Sequence, residues 1–533
     1  MKNKGLLFSL LAVGSFTATS CSGSGLRHTV SKDNKVYHAD LNFNGKIDPN
    51  EENLTWVESY DALLKKANSI TDLNKAVEAF NINPDDEYAT AIARYEILHE
   101  AEELIMSTGA VLPLCNYIDP YLLKEGVKGI YTNSLGFKFL DQLTTNDKPG
   151  LDYAITVGTK AETFDPANNS DASTSIALFQ IMAGAKRYVN SGKEQEGEEG
   201  KGVYKAEIED GVCKVTKKLV YTEKSGEETH KNDDDWILFD NCPDLMDEMT
   251  TIAGEDEDKQ QEIRDKYEGT ARYTIELKSD AVWNDGSAMT IDDFIYAWTR
   301  ASSATYNGQP FGMWCQLFDS IRGYNVWNTI GQQTTADPTK WDEDTQAKWN
   351  NTDPNKGTVL TDADKYQYKA KFEGITNING TGCAGGMAGI IRDNDKQMTV
   401  QLVNDCSYFD ELLAFTAYMP VKKEKVLIKK DKDGKPVEDE TKAICTESPD
   451  WWMNKDKSYL TNGPMQINGP IRNQDSGGID LVQAEHATPG FVNEKTIKSL
   501  KFLFIDKDST MYDAYRTGSV VLTNNFPIAL IDQ

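Results

Sequence analysis

Residues 40–51 have the residue types and the spacing of a calcium-binding loop. An EF-hand loop takes oxygen ligands from positions 1, 3, 5, 9 and 12, a backbone carbonyl from position 7, and glycine at position 6. Here Gly45 stands at position 6 and Ile47 supplies an apolar residue at position 8. The ligand positions hold Asp40, Asn42, Asn44, Lys46 (through its carbonyl), Asp48 and Glu51. The pattern predicts a Ca²⁺ site, and a plain turn rich in Asp and Asn is one alternative.

Other candidates for chemistry do not complete a catalytic motif. The run from His99 to Glu103 begins like a zinc-protease motif but lacks its second histidine. Residues 475–478 are similar to the nucleophile turn of trypsin-like proteases, but Gln474 stands where that turn has glycine. No phosphate-binding P-loop or dinucleotide-binding glycine motif occurs. We therefore predict no catalytic residues and a protein that is not an enzyme, although so acidic a chain offers many carboxylate pairs of the glycosidase type.

Length and charge restrict the class of protein. At 533 residues the chain is long enough for two or three domains. Its 84 acidic and 56 basic residues give a net charge of −28, which repels nucleic acid and anionic lipid. We therefore predict no nucleic-acid partner. The charge suits neutral or cationic ligands outside the cytoplasm, and the alternative is that it serves solubility alone.

Residues 1–25 have the pattern of a secretion signal followed by a short tether. Lys2 and Lys4 precede a short apolar run at 6–13, and Cys21 ends a sequence similar to a bacterial lipobox. These features predict lipidation of Cys21 and an extracytoplasmic lipoprotein held at the cell membrane by its lipid. An ordinary cleaved signal is the alternative.

The remaining seven cysteines are spaced widely and irregularly. They are Cys115, Cys213, Cys242, Cys315, Cys383, Cys406 and Cys445. Because no two of them form a C-x-x-C pair, the spacing excludes a zinc ribbon and a thioredoxin motif. We expect buried, unpaired thiols.

The clearest local pattern is a strand, a turn and a helix within residues 273–300. Apolar residues alternate from Tyr273 to Leu277, which is the period of a half-buried strand. Gly286 permits a tight turn, and Thr290 is a suitable N-cap for the amphipathic helix that follows. The pattern predicts a packed β-turn-α unit.

Upstream, residues 53–148 are expected to form an α/β segment. Pro84 is expected to occupy the first position of a helix. Residues 110–117 are expected to form a short buried strand, and residues 144–150 a polar linker.

Farther along, residues 187–268 and 330–370 are expected to be solvated insertions, because charged, glycine-rich or Thr/Asp/Asn-rich runs fill them. Residues 497–505 are expected to include a strand, followed by a short helix that Asp508 caps.

The amino-acid sequence of the β-turn-α unit resembles a family signature. It is similar to the stretch W-x-D-G-x-x-(L/M)-T-(A/I)-x-D-F-x-x-(S/A)-W of family 5 extracytoplasmic solute-binding proteins, the oligopeptide-binding receptors of ABC importers. The residues in register are Trp283, Asp285, Gly286, Met289, Thr290, Asp293, Phe294 and Trp298. Segments at 151–166, 176–183, 413–420, 459–465 and 500–518 resemble further family segments in the usual order.

The segment upstream of these resembles the family's carboxy-terminal end. Residues 56–67, 95–114 and 122–136 are similar to three segments that close the family's chains. This order is that of a circular permutation, which chain ends lying close together permit. The stretch that normally forms most of the second lobe has no counterpart, so the resemblance implies a rearranged or truncated copy.

The resemblance implies an α/β, periplasmic-binding-protein-like fold (class II) with two lobes and a hinge, the second lobe incomplete. It implies that a peptide is held mainly by its backbone. The residues carried over for that role are Glu162, Thr163, Phe164, Tyr459, Gly463, Pro464 and Met465. It also gives a second alternative for Asp40, because residues 37–40 are similar to a family segment whose Asp pairs with the ligand's amino group.

The expected organisation has four parts. They are a lipoprotein signal and tether at 1–25, an EF-hand-like loop at 26–52, the carboxy-terminal-like segment at 53–148, and at 149–533 the amino-terminal lobe with an inserted small domain and the start of the second lobe. The implied partners are a peptide and an ABC permease. The alternatives are a decayed lipoprotein with no transport role, or a receptor for a nickel complex, haem or sugar.

Overall fold

A computed structural model describes most of the chain. The described residues are 29–30, 37–67, 70–84, 86, 88–114, 121–145, 148–149, 152–158, 163–223, 267–303, 305–306, 309–310, 313–331, 333, 337–353, 356–360, 365, 386–387, 389–403, 406–430, 444–447, 451–453, 459–471, 478–524 and 527. They divide into two compact units. Unit 1 comprises Met1–Tyr117, Lys217–Arg272 and Gln401–Tyr408, and unit 2 comprises Ile118–Thr216, Tyr273–Val400 and Phe409–Gln533.

Unit 1 contains a group of helices that share one apolar core. Its elements at 29–107 are strands β1 (Thr29–Val30) and β2 (Tyr37–His38) and helices α1 (Pro49–Glu52), α2 (Trp56–Lys66), α3 (Ile70–Ala79) and α4 (Ala89–Ser107). Helix α2 begins where Thr55 and Glu58 form a capping box, which satisfies two backbone N–H groups. Leu63, Ala76 and Ile97, one from each of the three long helices, are fully buried in the core.

Unit 2 is a mixed α/β unit with several sheets. The strands wholly or partly within it are β3 (Leu122–Leu123), β4 (Val127–Lys128), β5 (Ile130–Thr132), β6 (Lys138–Phe139), β7 (Thr144–Thr145), β8 (Lys148–Pro149), β9 (Asp152–Val157), β10 (Lys186–Glu194), β11 (Val203–Asp210), β12 (Cys213–Glu223), β13 (Tyr267–Leu277), β14 (Thr305–Tyr306), β15 (Gln309–Pro310), β16 (Ile390–Arg392), β17 (Gln397–Gln401), β18 (Leu427–Lys430), β19 (Ile444–Glu447), β20 (Met465–Ile467), β21 (Gly478–Gln483), β22 (Ser499–Phe504) and β23 (Leu522–Thr523). Its α-helices are α5 (Ala172–Ile181), α6 (Ile291–Ala301), α7 (Tyr324–Ile330), α8 (Glu343–Trp349), α9 (Phe409–Leu413), α10 (Lys423–Val426) and α11 (Asp508–Arg516). Short 3₁₀ turns lie at Met313–Phe318, Pro338–Lys340, Thr416–Tyr418 and Trp451–Met453.

The largest sheet of unit 2 joins distant parts of the sequence. Its strand order is β20-β21-β22-β9-β23-β3. Strand β9 pairs in parallel with β22 and β23, with Tyr153 opposite Leu500 and Ile155 opposite Leu522. Strand β3 pairs antiparallel with β23, which brings Leu123 opposite Leu522. The upstream segment that resembles the family's end therefore contributes a strand to the same sheet as the segments that resemble its beginning.

Two other four-stranded sheets complete the main framework. One has the order β10-β11-β5-β6, and the other has the order β12-β13-β17-β16. The signature helix α6 is anchored to unit 2 by Trp298, which is fully buried and donates from Nε1 to the Tyr418 carbonyl at 2.8 Å.

Several sequence predictions need correction. The predicted buried strand at 110–117 does not form over the described residues 110–114, where Leu112 and Leu114 are 79% and 87% exposed. The helix expected to open at Pro84 begins at Ala89.

Part of the predicted insertion at 187–268 is regular. Strands β10, β11 and β12 form there, because alternate polar residues suit a ribbon that is half exposed. The glycine-rich run supplies the turn of this ribbon, where Gly197 and Gly200 have positive φ.

The first stretch of unit 1 ends at Tyr117, and the next stretch, Ile118–Thr216, belongs to unit 2. Within it, β3 pairs with the distant strand β23, and β5 pairs with β11. The predicted segment boundary at 148/149 stays a prediction. In the part of the chain that the structure describes, no helix combines the length and the apolar character needed to cross a bilayer.

Candidate functional site

The loop at 40–51 folds around two buried carboxylates in unit 1. The Asp40 side chain accepts hydrogen bonds from the backbone N–H groups of Asn44 at 3.2 Å and Gly45 at 2.6 Å. Gly45 has φ +84°, a left-handed conformation that favours glycine at this position of the loop. Asp40 is 5% exposed. The sixth-position glycine therefore has the role that the spacing predicts.

Glu51 closes the loop from its other end. Its Oε1 accepts from the N–H groups of Leu41 at 2.8 Å and Asn42 at 3.2 Å, and its Oε2 accepts from Asp48 N–H at 2.8 Å. The side chain is 2% exposed. Three backbone donors thus hold the last predicted ligand against the first residues of the loop.

The middle ligand positions converge on one another. The Nδ2 groups of Asn42 and Asn44 both donate to Oδ2 of Asp48, at 2.6 and 2.8 Å. Over the described ranges, no three His, Cys, Asp or Glu side chains gather into a metal-binding group. A Ca²⁺ ion at this loop would therefore depend on the amide and carbonyl oxygens as well as on the acids.

Sequence reasoning missed Glu100, a third buried acid in unit 1. It lies on α4 and is 7% exposed. Burial, and next the charge of Asp40, raise the pKa of Glu100 to about 8. Its place on the buried face of α4, between Ile97 and Leu104, was the signal that could have found it.

In unit 2 the structure brings two predicted ligand-binding residues together inside the core. The Tyr459 hydroxyl donates to the Phe164 carbonyl at 2.7 Å, and the two residues are 2% and 0% exposed. Thr163 is half-buried, and its hydroxyl accepts from Asp165 N–H at 3.0 Å. Glu162 lies outside the described residues. Burial leaves the side chains of Phe164 and Tyr459 inaccessible to a ligand. Their predicted role in holding a peptide by its backbone stays a prediction.

The predicted Gly-Pro-Met turn packs on the end of helix α5. The Gly463 N–H donates to the Ile181 carbonyl at 2.8 Å. A Cβ on Gly463 would lie 2.5 Å from the Ile181 carbonyl carbon, so only glycine fits there. Met465 is fully buried, and Pro464 lines a small pocket. Main-chain contact between this turn and a peptide stays a prediction.

The signature turn and this Gly-Pro turn are joined. Asn284 N–H donates to the Thr461 carbonyl at 2.8 Å, and Thr461 N–H donates to Asn284 Oδ1 at 3.0 Å. Asp293 accepts from Thr290 N–H at 2.9 Å and from Trp283 Nε1 at 3.3 Å. Burial outweighs these hydrogen bonds and raises the pKa of Asp293 to about 6.

A buried ion pair was also missed. Arg300, at the end of α6, donates from Nη1 and Nη2 to both oxygens of Asp165, at 2.9 and 2.6 Å. The two residues are 1% and 4% exposed. No local pattern could reveal a pair that is separated by 135 residues. The pair connects the opening family segment to the signature helix.

The described thiols of unit 2 agree in part with the expectation of buried, unpaired cysteines. Cys213 is fully buried, and burial raises the pKa of its thiol well above the ordinary range. Cys315 is half-buried and is a free thiol.

The chain is similar in structure to periplasmic oligopeptide-binding proteins of family 5, at low sequence identity and over part of its length. No family model matches the chain, and no curated protein matches it.

Three solved structures illustrate this similarity. Burkholderia pseudomallei OppA is 16% identical, with a TM-score of 0.37, and the match covers 70% of this chain and 45% of that one. The Escherichia coli murein tripeptide-binding protein MppA is 15% identical, with a TM-score of 0.39, and the match covers 72% and 48%. Listeria monocytogenes OppA bound to peptide is 14% identical, with a TM-score of 0.38, and the match covers 70% and 46%. The chain therefore spans less than half the length of these structures.

Proposed function

We propose that the protein is the extracytoplasmic solute-binding component of an ABC importer and that it binds oligopeptides. The observation that carries this proposal is the packing of the family-like segments against one another within unit 2. The opening segment meets the signature helix through Asp165 and Arg300, and the signature turn meets the Gly-Pro turn through Asn284 and Thr461. These contacts support the proposal because they place the three family-like segments side by side in one unit.

The partners follow from the same proposal. Lipid attached to Cys21 would hold the protein at the membrane, where a permease of the same importer would receive the ligand. The nearby alternatives, a different solute or a lipoprotein without a transport role, predict no response to peptides. The protein would act by binding and release, without chemistry on its ligand.

A mixture of short peptides is expected to raise the unfolding temperature of the full chain, because a ligand that binds only the folded state stabilises it. If Asp40 pairs with the ligand's amino group, Asp40→Asn lowers peptide affinity at least tenfold, since loss of a buried charge partner costs about 2–5 kcal/mol. Calorimetric titration with one responding peptide and its N-acetylated form measures this.

Glu52→Gln is the matched control, since Glu52 is an exposed acid just beyond the loop. An unchanged unfolding temperature across peptide mixtures would overturn the proposal of peptide binding. Equal affinity for free and acetylated peptides would exclude only the role of Asp40.

We also propose that the loop at 40–51 binds Ca²⁺. Saturating Ca²⁺ is then expected to raise the unfolding temperature above that measured in chelator. At a Ca²⁺ concentration one hundred times Kd, the free energy of unfolding is expected to increase by about 2.7 kcal/mol. Glu51→Gln is expected to abolish this difference, because it removes the loop's closing carboxylate, whereas Glu52→Gln keeps it. Identical melting curves in Ca²⁺ and in chelator would contradict the proposal, whatever the peptide experiment gives.

A further inference from the structure

Helix α4 in unit 1 has apolar side chains on both of its faces. Its inward face packs in the core of the helices, where Ile97 is fully buried. Its outward face also carries Ile92, Tyr95 and Met106, and Tyr88 stands at its N-cap. These four residues are between 37% and 59% exposed. A helix at the surface of a protein usually has charged or polar residues on the face opposite the core, so this outward face departs from the usual pattern.

The exposed residues of α4 form one row, which we call the α4 seam. They are four of the nine large apolar residues that are exposed in the part of the chain that the structure describes. With His99 on the same face, the seam comprises Tyr88, Ile92, Tyr95, His99 and Met106, at spacings of four, three, four and seven residues. These spacings are those by which two paired helices meet. Exposed apolar residues that are scattered singly need no explanation, but a row about 27 Å long on one helix is typical of a contact surface.

Two contacts hold the middle of the α4 seam in place. The rings of Tyr95 and His99 stack, with their centroids 6.2 Å apart and their planes 6° apart. Nε2 of His99 lies 3.4 Å from a carboxylate oxygen of Glu103, one turn further along the helix. Side chains that are already ordered lose less conformational entropy when a partner covers them. The seam is therefore partly preorganised for a contact.

The charges beside the α4 seam restrict the chemistry of its partner. Glu96, Glu102 and Glu103 lie beside it and are half-buried or exposed. The one Lys or Arg of the helix is Arg94, whose guanidinium lies 5.3 Å from the centre of the Tyr408 ring. A second copy of this chain would bring the same glutamates together along both helices, and like charges that flank such a seam are destabilising. Lys and Arg side chains of a different helix would instead be attracted.

We infer that the α4 seam docks a cationic amphipathic helix of a partner protein. The apolar face of that helix lies against the seam, and its Lys or Arg side chains lie opposite the three glutamates. The apolar row supplies the contact area, and the glutamates select the sign of the partner's charge. This docking does not depend on peptide transport and can fail or succeed separately.

Two synthetic peptides test the inference on the full chain by fluorescence anisotropy. Both have leucine at the a and d positions of three heptads, and they differ in having lysine or glutamate at the e and g positions. The lysine peptide is expected to bind roughly tenfold tighter than the glutamate peptide at low salt, and added salt is expected to reduce this preference. Equal affinity for the two peptides, or no binding of either, would overturn the inference.

Variants of the exposed residues locate the docking surface. The triple variant Tyr88→Ser/Ile92→Ser/Tyr95→Ser is expected to lower the affinity for the lysine peptide by roughly tenfold or more, because a few large side chains carry most of the energy of such contacts. Val359→Ser, which changes an exposed apolar residue of unit 2, is the matched control and is expected to leave the affinity unchanged. Unchanged affinity in the triple variant would place the binding elsewhere and overturn the inference.

A second variant tests the charges without changing the apolar row. Glu102→Gln/Glu103→Gln is expected to reduce the preference for the lysine peptide over the glutamate peptide, because it removes two of the three flanking charges. The same preference in this variant and in the unmodified protein would contradict the role of the glutamates.

Two further measurements separate other occupants of the α4 seam. Short peptides that raise the unfolding temperature are expected not to displace the lysine peptide, and displacement would show that the lysine peptide binds as a solute instead. Analytical ultracentrifugation is expected to show no dimer that depends on the seam. A dimer of the unmodified protein that the triple variant abolishes would assign the seam to a second copy and overturn the inference.

Discussion

Arg300→Met is expected to lower the free energy of unfolding of unit 2 by about 3–5 kcal/mol, because it leaves the buried Asp165 carboxylate without its cation. Both members of the pair are almost fully buried, and the guanidinium contacts both carboxylate oxygens. Urea unfolding followed by tryptophan fluorescence measures the loss, since Trp283 and Trp298 are fully buried in this unit.

Arg392→Met is the matched control. Its guanidinium also bonds a carboxylate with two nitrogens, on Asp292, but the side chains are 33% and 53% exposed. Exposed pairs contribute about 0–1 kcal/mol, so this variant is expected to change little. The double variant Asp165→Leu/Arg300→Met is expected to recover much of the lost stability, because it leaves no unpaired charge. If Arg300→Met and Arg392→Met both lower the free energy of unfolding by a similar small amount, burial does not determine the contribution of the Asp165–Arg300 pair.

Local patterns predicted the elements of the signature well. Thr290 caps a helix that runs over Ile291–Ala301, and the alternating residues from Tyr273 lie in β13. A strand forms at Ser499–Phe504 within the predicted 497–505. The expected cap at Asp508 makes no such bond, because the helix already includes Asp508 and its N-cap is Lys507. Each success depends on residues within about one turn or one strand of each other.

Long-range packing could not be predicted in this way. The choice of Arg300 as the partner of Asp165, and of β3 as the neighbour of β23, depends on how distant segments meet. The same packing decides that Phe164 and Tyr459 lie in the core, where an apolar ring is stabilised by burial. The family resemblance assigned positions to segments of the sequence, but it did not predict the direction in which each side chain points.

The loop at 40–51 was predicted in part from local sequence and depends in part on long-range packing. Its spacing predicted glycine at the sixth position, and Gly45 adopts the left-handed conformation that favours glycine. The hydrogen bonds by which Glu51 closes the loop were not predicted. The sequence could not reveal that Glu100, far along the chain, is buried and influenced by the charge of Asp40.

Asp293→Asn is expected to make the stability of unit 2 less dependent on pH. The pKa of Asp293 rises from an ordinary 3.8 to about 6 in the folded protein, chiefly because of burial. Between these pH values the folded state holds more protons than the unfolded state, so its stability is greatest below pH 4 and is lost as pH rises through 6. At about 1.4 kcal/mol per pKa unit, the loss attributable to this group is at most about 3 kcal/mol.

The difference in unfolding free energy between the variant and the unmodified protein isolates Asp293 from the other acids. This difference is expected to move in favour of Asp293→Asn by up to about 3 kcal/mol between pH 4 and pH 7, because asparagine keeps an acceptor for Thr290 N–H and Trp283 Nε1 without the buried charge. Asp292→Asn, a change to an exposed acid in the same helical turn, is expected to give a difference that varies little with pH. If Asp293→Asn instead loses stability toward pH 7, the capping hydrogen bonds to the carboxylate outweigh the cost of burying its charge.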